Sequence, residues 1–232
     1  MNLKHCTPSD IPQEVSQYAG EVAQMDVGKS GKIGFLELEL QNDSEKQKTI
    51  ITKKQTQVPL YVQKALHYDL DYPSMAHVFI LSPSGGILQG DRYRMDVELK
   101  NNAISHITTQ GATRIYKMES NYATHMVTLN VKDNSYLEFM PEQIIPYKKS
   151  RFYQKTNLKI DSSSTVIYSE TIVPGRIAMV RCLILMYVFL KLKEKLMIVF
   201  SLETLLFCLQ NHKKLNLLQC LVIKQFSLLY TY

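Results

Sequence analysis

Strict alternation between apolar and charged residues is the feature that most constrains the fold of this chain. Residues 35–40 have the sequence FLELEL, and residues 93–99 have the sequence YRMDVEL. Successive side chains of a strand point to opposite faces, so this period of two is typical of a strand with one buried and one solvated face. The chain is therefore predicted to form β-sheets that pack together through one face.

Further strand-like segments follow one another between short polar breaks. They are residues 60–66, 75–81, 104–109, 113–118, 124–131, 136–140, 152–160 and 165–173. Short strands at this spacing, joined by turn residues, favour a mainly β fold over βαβ units. We therefore expect a layered, largely antiparallel β-sheet domain, with no long helix before residue 180.

The composition changes abruptly after Met179. The first 179 residues hold 20 basic and 19 acidic residues, whereas the last 53 hold seven basic and two acidic residues. Those last residues contain no Gly, Pro or Asp, but fifteen Leu. We interpret residues 1–179 as a β-rich domain and residues 180–232 as an atypical, Leu-rich basic tail. Periodicity leaves helix and strand open for this tail. The abrupt change in composition predicts either a poorly ordered or helical cap at the end of the domain, or a chain that is truncated or frame-altered.

Composition also bears on the class of protein and its compartment. Because the first 179 residues are almost neutral, the net charge of +6 does not indicate nucleic-acid binding. The four cysteines form no CxxC pair, which gives no support to a zinc ribbon or a disulfide scaffold. Neither apolar run of the tail reaches the roughly 20 residues of a membrane span. The first residues have no apolar leader-like core. We expect a cytoplasmic protein without a transmembrane segment.

One group of residues has the side chains of a metal site. His67, Asp69 and Asp71 would lie on one face of an extended strand. An imidazole and two carboxylates can bind a borderline divalent ion. A solvated polar face has the same pattern, so both interpretations remain open.

The segment most unusual in composition is SPSGGILQGD, residues 82–91, which lies between two predicted strands. Gly85, Gly86 and Gly90 let the backbone turn sharply and approach another segment closely. Asp91 ends the segment, either as a residue that caps its own turn or as a functional carboxylate. The pattern does not match the glycine spacing of a dinucleotide-binding loop.

Four motifs in register connect the chain with a known family. In order, they are SPSGGILQGDRYRMDVEL (residues 82–99), ITTQGATRIYKM (residues 107–118), LEFMPEQIIPYKKSRF (residues 137–152) and YSETIVPGR (residues 168–176). Their succession resembles the UreD/UreH-type urease accessory proteins over residues 35–179. From Val180 onward the resemblance stops, at the place where the composition changes.

The resemblance implies a mainly β, non-catalytic chaperone. Such a protein would bind apo-urease subunits and, with UreF-type and UreG-type partners, help deliver Ni²⁺ to the urease active site, without a tightly bound cofactor. Motif position assigns Asp91, Thr113 and Glu170 as candidates for lining a nickel passage. Lys117, Gly175 and Arg176 also coincide with family motifs, and the structural interpretation is favoured for Arg176. An oxygen-rich path would hold Ni²⁺ weakly enough to release it.

Other classes of function stay open at the level of sequence. Asp91 and Glu170 could act as an acid–base pair in a β-rich enzyme. The basic tail could bind an anionic partner or a membrane surface. A truncated homologue could also have lost its function.

Overall fold

The computed structural model describes residues 5–20, 31–173, 183–193, 197–209 and 226–230. One short helix, α1 (Gln13–Ser16), is followed by strands. These are β1 (Ile33–Asp43), β2 (Lys48–Gln57), β3 (Tyr61–Val62), β4 (Ala76–Leu81), β5 (Arg92–Leu99), β6 (Ile104–Thr109), β7 (Thr113–Ile115), β8 (Ala123–Val131), β9 (Tyr136–Phe139), β10 (Ile144–Pro146), β11 (Arg151–Asp161), β12 (Thr165–Glu170), β13 (Leu183–Lys193), β14 (Met197–Leu209) and β15 (Phe226–Tyr230). The predicted mainly β fold is confirmed.

The described strands form two large stacked sheets and a small third one. The first sheet has the order β13-β14-β11-β8-β5-β1-β2, and the second has the order β15-β12-β9-β6-β4-β3. Strands β10 and β7 make the third sheet. The alternating residues predicted to face inward do so: Tyr93, Met95, Val97 and Leu99 are at most 3% exposed. They belong to one continuous apolar core between the sheets.

The expectation of largely antiparallel sheets is wrong for the centre of the molecule. Strands β1, β5, β8 and β11 pair in parallel in the first sheet. Strands β4, β6, β9 and β12 do the same in the second, as do β7 and β10 in the third. Antiparallel pairs are confined to the outer strands, such as β1 with β2 and β3 with β4.

This parallel pairing arises because the chain winds through the sheets in turn. After β5 it crosses to β6 in the second sheet and to β7 in the third, and returns to β8 beside β5. Each circuit takes about 30 residues, a length typical of stacked coils in solenoid architectures. The short polar breaks therefore connect different sheets rather than neighbouring strands. One face of each strand still packs on the core, so the alternation is the same as in an antiparallel sheet.

The observed strands differ from the predicted ones at β2 and in the segment 60–66. Strand β2 was missed because its sequence, KTIITKKQTQ, is mostly polar. It lies at the end of the first sheet, where lysines are common because they discourage pairing with another chain. The segment 60–66 was too long, since only β3 is a strand there.

The described parts of the tail take the strand alternative rather than the helix. Strand β14 pairs antiparallel with β11, strand β13 with β14, and strand β15 with β12. In these segments the structure has strands where the sequence left helix and strand open. Strands β11 and β12 end the two parallel stacks, and an extended segment can pair with their outer backbone groups.

Within the part of the chain that the structure describes, no helix is long and apolar enough to span a membrane.

Candidate functional site

Asp91 lies immediately before β5 and is completely buried. Its Oδ1 accepts a hydrogen bond from the Lys32 backbone N–H at 2.8 Å. Its Oδ2 accepts from the Leu88 N–H at 2.9 Å and from the Tyr93 hydroxyl at 3.0 Å. The Lys32 ammonium adds a salt bridge, with Nζ 3.3 Å from Oδ2. Four donors thus surround this carboxylate.

The electrostatics of Asp91 are those of a buried ion pair. Burial raises the pKa of the Asp91 carboxyl, while the Leu88 and Lys32 backbone hydrogen bonds and the Lys32 charge oppose that rise. Lys32 is only 3% exposed. The geometry agrees with the structural alternative for Asp91, in which it closes its own loop and joins it to the start of β1. A role in lining a nickel passage stays a prediction.

The glycines of the loop 82–91 allow two close backbone approaches. Gly86 has φ +148°, and a Cβ there would lie 2.5 Å from the Arg114 carbonyl oxygen. Gly90 has φ +78°. A Cβ on Gly85 would meet only the Tyr116 hydroxyl, at 3.6 Å. Gly86 and Gly90 are therefore required by the turn, which brings Ile87 into a parallel bridge with Ile115.

Thr113 and Lys117 occupy different environments beside this loop. Thr113 begins β7, and its N–H donates to the Gln143 carbonyl oxygen at 2.8 Å. The Lys117 ammonium lies 2.6 Å from a carboxylate oxygen of Glu119, and both side chains are exposed. Lys117 is thus a surface residue, whereas Thr113 helps to line a cavity.

That cavity, of about 390 Å³, lies between the loop 82–91 and the inner face of the first sheet. Hydroxyl groups of Ser82, Ser84, Thr109 and Thr113 occur among its lining residues. Tyr93, Met95 and His125 line it from the sheet. It is therefore a mixed polar and apolar space beside the first sheet.

Glu170 lies at the end of β12 and is 8% exposed. The Gln154 side-chain amide donates a hydrogen bond to its Oε1. Burial raises the pKa of the Glu170 carboxyl, against hydrogen bonds from Tyr168 and Gln154. Glu170 is thus a second buried carboxyl with its own donors.

Asp91 and Glu170 are linked by residues that the sequence did not single out. Tyr93, His125 and Gln154 are register partners on β5, β8 and β11, and we call them the interior polar row. Tyr93 contacts Asp91 through its hydroxyl, and Gln154 contacts Glu170. His125 Nδ1 donates to Gln154 Oε1 at 3.2 Å, and its ring meets the Tyr93 ring edge-on with centroids 6.2 Å apart.

The interior polar row carries strongly shifted pKa values. Burial lowers the pKa of His125 to about 4, against the hydrogen bond to Gln154. Burial and the neighbouring Asp91 charge raise the pKa of the Tyr93 hydroxyl. The imidazole is therefore neutral at pH 7. A signal was present in the sequence, since His125 and Gln154 take inward positions between Ala123 and Val127 and between Phe152 and Thr156.

The predicted trio of His67, Asp69 and Asp71 does not form a metal site. The three residues lie in a loop after β3 rather than on an extended strand. His67 Nε2 hydrogen-bonds the Thr49 carbonyl oxygen at 2.8 Å. Asp69 accepts from the N–H groups of Asp71 and Tyr72, which closes a local turn. Among the described residues, no group of three or more His, Cys, Asp or Glu is placed to hold a metal ion.

Gly175 and Arg176 lie outside the described residues.

Comparison with known proteins agrees with the motifs on which this site is built. The model of the UreD urease accessory protein family matches residues 32–182. A urease accessory protein UreD from Cenarchaeum symbiosum (strain A) is 48% identical over 158 residues, which are 68% of this chain and 55% of that protein. A urease accessory protein UreD 2 from Brucella ovis is 42% identical over 164 residues, 71% of this chain and 54% of that protein.

A urease accessory protein UreD from Yersinia enterocolitica is 41% identical over 163 residues, 70% of this chain and 49% of that protein. The chain spans about half the length of the curated relatives it matches. The family match stops at residue 182, close to the change in composition. Because it covers well over half of the 232 residues, this chain belongs to the UreD urease accessory protein family.

Proposed function

We propose that this chain acts as an accessory protein in urease maturation. It binds apo-urease and, with UreF-type and UreG-type partners in the cytoplasm, helps insert nickel into the active site. Family membership supports the pathway. The observation that carries the mechanism is the interior polar row, which connects Asp91 to Glu170 through an otherwise apolar core.

A path of weak ligands serves the transfer of nickel better than a tight binding site does. Neutral imidazole, hydroxyl and amide groups attract a borderline cation without the affinity of a thiolate or multi-histidine cage. The cavity wall offers groups of this kind, from Ser82, Ser84, Thr113 and His125. An ion held by few protein ligands keeps part of its water shell and leaves readily. The proposed transfer role needs that exchange.

A scaffold role also accounts for the two carboxyls better than acid–base catalysis does. Asp91 is occupied by four donors, and Glu170 is held by the Gln154 amide. A general acid or base must reach a substrate proton within hydrogen-bond distance. Both oxygens of the Asp91 carboxyl are already occupied. The relatives are likewise named as accessory proteins.

The test is retention of urease by the full chain. Tagged full-length chain is incubated with purified apo-urease, with and without the UreF-type partner, and the retained subunits are quantified. We expect urease to be retained with the chain and not with a tagged carrier protein of similar charge. Failure to retain apo-urease in both conditions would contradict the proposal.

A further inference from the structure

The loop between β3 and β4 concentrates the exposed apolar side chains of the part of the chain that the structure describes. Seven large hydrophobic side chains are exposed among the described residues, and four of them lie in residues 66–75, which we call the tyrosine loop. They are Leu66, Tyr68, Leu70 and Tyr72. Leu70 is 93% exposed, and the two tyrosines beside it are 58% and 60% exposed. Apolar side chains grouped at the surface in this way mark a site of interaction.

The backbone of the tyrosine loop is tied to its surroundings, which holds the exposed side chains in place. Leu66 and His77 exchange two backbone hydrogen bonds of 2.8 Å. The His67 ring donates from Nε2 to the Thr49 carbonyl oxygen at 2.8 Å. The Thr49 N–H donates to the Ser74 carbonyl oxygen at 2.9 Å. A loop that is already ordered loses less conformational entropy when it binds.

Two further contacts shape the tip of the tyrosine loop. The Asp69 Oδ1 accepts from the N–H groups of Asp71 at 2.9 Å and Tyr72 at 3.2 Å. The Tyr68 ring lies against the His77 ring, with centroids 4.2 Å apart. The exposed Leu70 is therefore presented on a closed turn, with a tyrosine two positions away on each side.

The charge of the tyrosine loop limits what can bind it. Residues 66–75 include Asp69 and Asp71 but no Lys or Arg, in a chain whose net charge is +6. Nucleic acids and anionic lipid surfaces are negatively charged, so the two carboxylates disfavour both. Two copies of the chain that met through this loop would set carboxylates against each other. The chemistry that complements the loop is an apolar surface with basic groups beside it.

We propose that the tyrosine loop is a docking surface for a folded protein with an apolar pocket rimmed by Lys or Arg. Leu70 and Tyr72 enter the pocket, and Asp71 pairs with a cation at its rim. Tyrosine is enriched at the energetic centres of protein interfaces, where it fills pockets of this kind. The inference deepens the proposed function and rests on it for the identity of the partners to be tested.

The direct test is the affinity of the full chain carrying Leu70→Arg. The variant removes the apolar contact and sets a like charge against the basic rim. Because Leu70 is 93% exposed, its replacement should leave the free energy of unfolding almost unchanged. Purified apo-urease and the UreF-type partner are immobilised separately and titrated with wild type and variant. We expect the dissociation constant for one of the two partners to rise by at least about 10-fold.

The matched control is Gln55→Arg, which adds the same charge at an exposed position of β2. It should leave both dissociation constants unchanged. Hydrogen exchange of the wild-type chain gives a second measurement that needs no variant, since amides of residues 66–75 should exchange more slowly in the complex. Equal affinities of wild type and Leu70→Arg for both partners, or unchanged exchange of the loop in both complexes, would overturn the inference.

The chemistry of the partner is tested by reversing one charge. Asp71→Lys should weaken binding of the same partner at low salt, and the difference should shrink as added salt screens the rim. Binding that is unchanged or tighter would show that the rim is not basic. A wild-type dimer that Leu70→Arg dissociates would also overturn the inference, because a second copy would then occupy the loop.

The same titrations separate this inference from the proposed function. If the chain binds apo-urease and the UreF-type partner equally well with and without Leu70→Arg, the docking assignment fails and the accessory role stands. If the wild type binds the UreF-type partner but never apo-urease, and Leu70→Arg removes that binding, the docking assignment stands and the accessory role fails. If the wild type binds neither protein, both fail.

Discussion

The Lys32 ammonium lies 3.3 Å from the carboxylate of Asp91, and both side chains are almost completely buried. The pair joins the residue before β1 to the residue before β5, two parallel neighbours in the first sheet. It also fixes the end of the loop 82–91, because Asp91 accepts from Leu88 within that loop. The start of β1, the start of β5 and the loop 82–91 are therefore held together at Asp91.

Replacing Asp91 should destabilise the protein strongly. In Asp91→Ala, the buried Lys32 loses its ion-pair partner, and breaking a buried pair in this way typically costs about 3–5 kcal/mol. Urea unfolding of the full chain measures this loss. The control Asp71→Ala removes an exposed carboxyl whose side chain makes no hydrogen bond that the structure records, and should change stability by less than about 0.5 kcal/mol. The double variant Lys32→Met, Asp91→Ala should recover part of the loss. If Asp91→Ala were as stable as the wild type, the stabilising role of the Lys32–Asp91 ion pair would be contradicted.

Two glycines of the cavity wall offer a matched comparison. Gly86→Ala places a Cβ 2.5 Å from the Arg114 carbonyl oxygen at a φ of +148°, so the loop must shift. We expect a loss of about 1–3 kcal/mol in the free energy of unfolding. Gly111→Ala meets no atom within 4 Å and should be close to neutral. Equal effects of the two substitutions on the urea midpoint would show that the close approach at Gly86 does not matter.

The lowered pKa of the His125 imidazole predicts a dependence of stability on pH. His125 has a folded pKa of about 4, below its ordinary value of 6.5, so folding favours the neutral ring. Its contribution is complete above pH 6.5 and is lost as the pH falls towards 4, by at most about 3 kcal/mol. Unfolding free energies of the wild type and His125→Gln should therefore converge over this range.

The comparison with His125→Gln isolates the histidine from the two buried carboxyls. Asp91 and Glu170 have raised pKa values, so their stabilising contribution is present at low pH and is lost as the pH rises. They act on both proteins alike. Substitution of the exposed His5 by Gln is the control and should leave the pH profile of the wild type unchanged. A constant difference between wild type and His125→Gln from pH 7 to pH 4 would rule out the buried neutral ring.

The change after residue 179 is tested most simply at the level of the encoding DNA. Family similarity stops at residue 182, while a Leu-rich, glycine-free sequence continues. We expect another reading frame near codon 180 to encode a Gly-Glu pair followed by alternating strands. The absence of such a continuation in both other frames, together with a soluble chain that unfolds cooperatively, would identify residues 180–232 as a native part of this protein.

Local pattern predicted the faces of the strands but not their partners. The alternation of residues 93–99 identified the buried side of β5 correctly, because burial of one face requires a period of two. The same period holds for parallel and antiparallel pairs, so it could not show that β5 pairs with β8 in the next coil. That pairing depends on contacts about 30 residues apart, and no repeated motif marks the coils.

The candidate site was only partly predicted, because sequence patterns are local and strand pairing is not. Asp91 was found because glycines mark its loop, a signal confined to neighbouring residues. His125 and Gln154 are marked only by their inward positions in the alternation, and they meet because β8 and β11 lie in register. His67 and Asp69 have side chains that suit a metal site, but they do not lie on an extended strand. The turn closed by Asp69 interrupts the strand that the metal interpretation required.

Nickel loading of urease is the measurement closest to the central proposal. Apo-urease is incubated with Ni²⁺ and the UreF-type and UreG-type partners, with and without the full chain, and bound nickel and urea hydrolysis are measured after removal of free metal. We predict that nickel content and activity rise together only when the chain is present. Equal nickel content and equal activity with and without the chain would contradict the account.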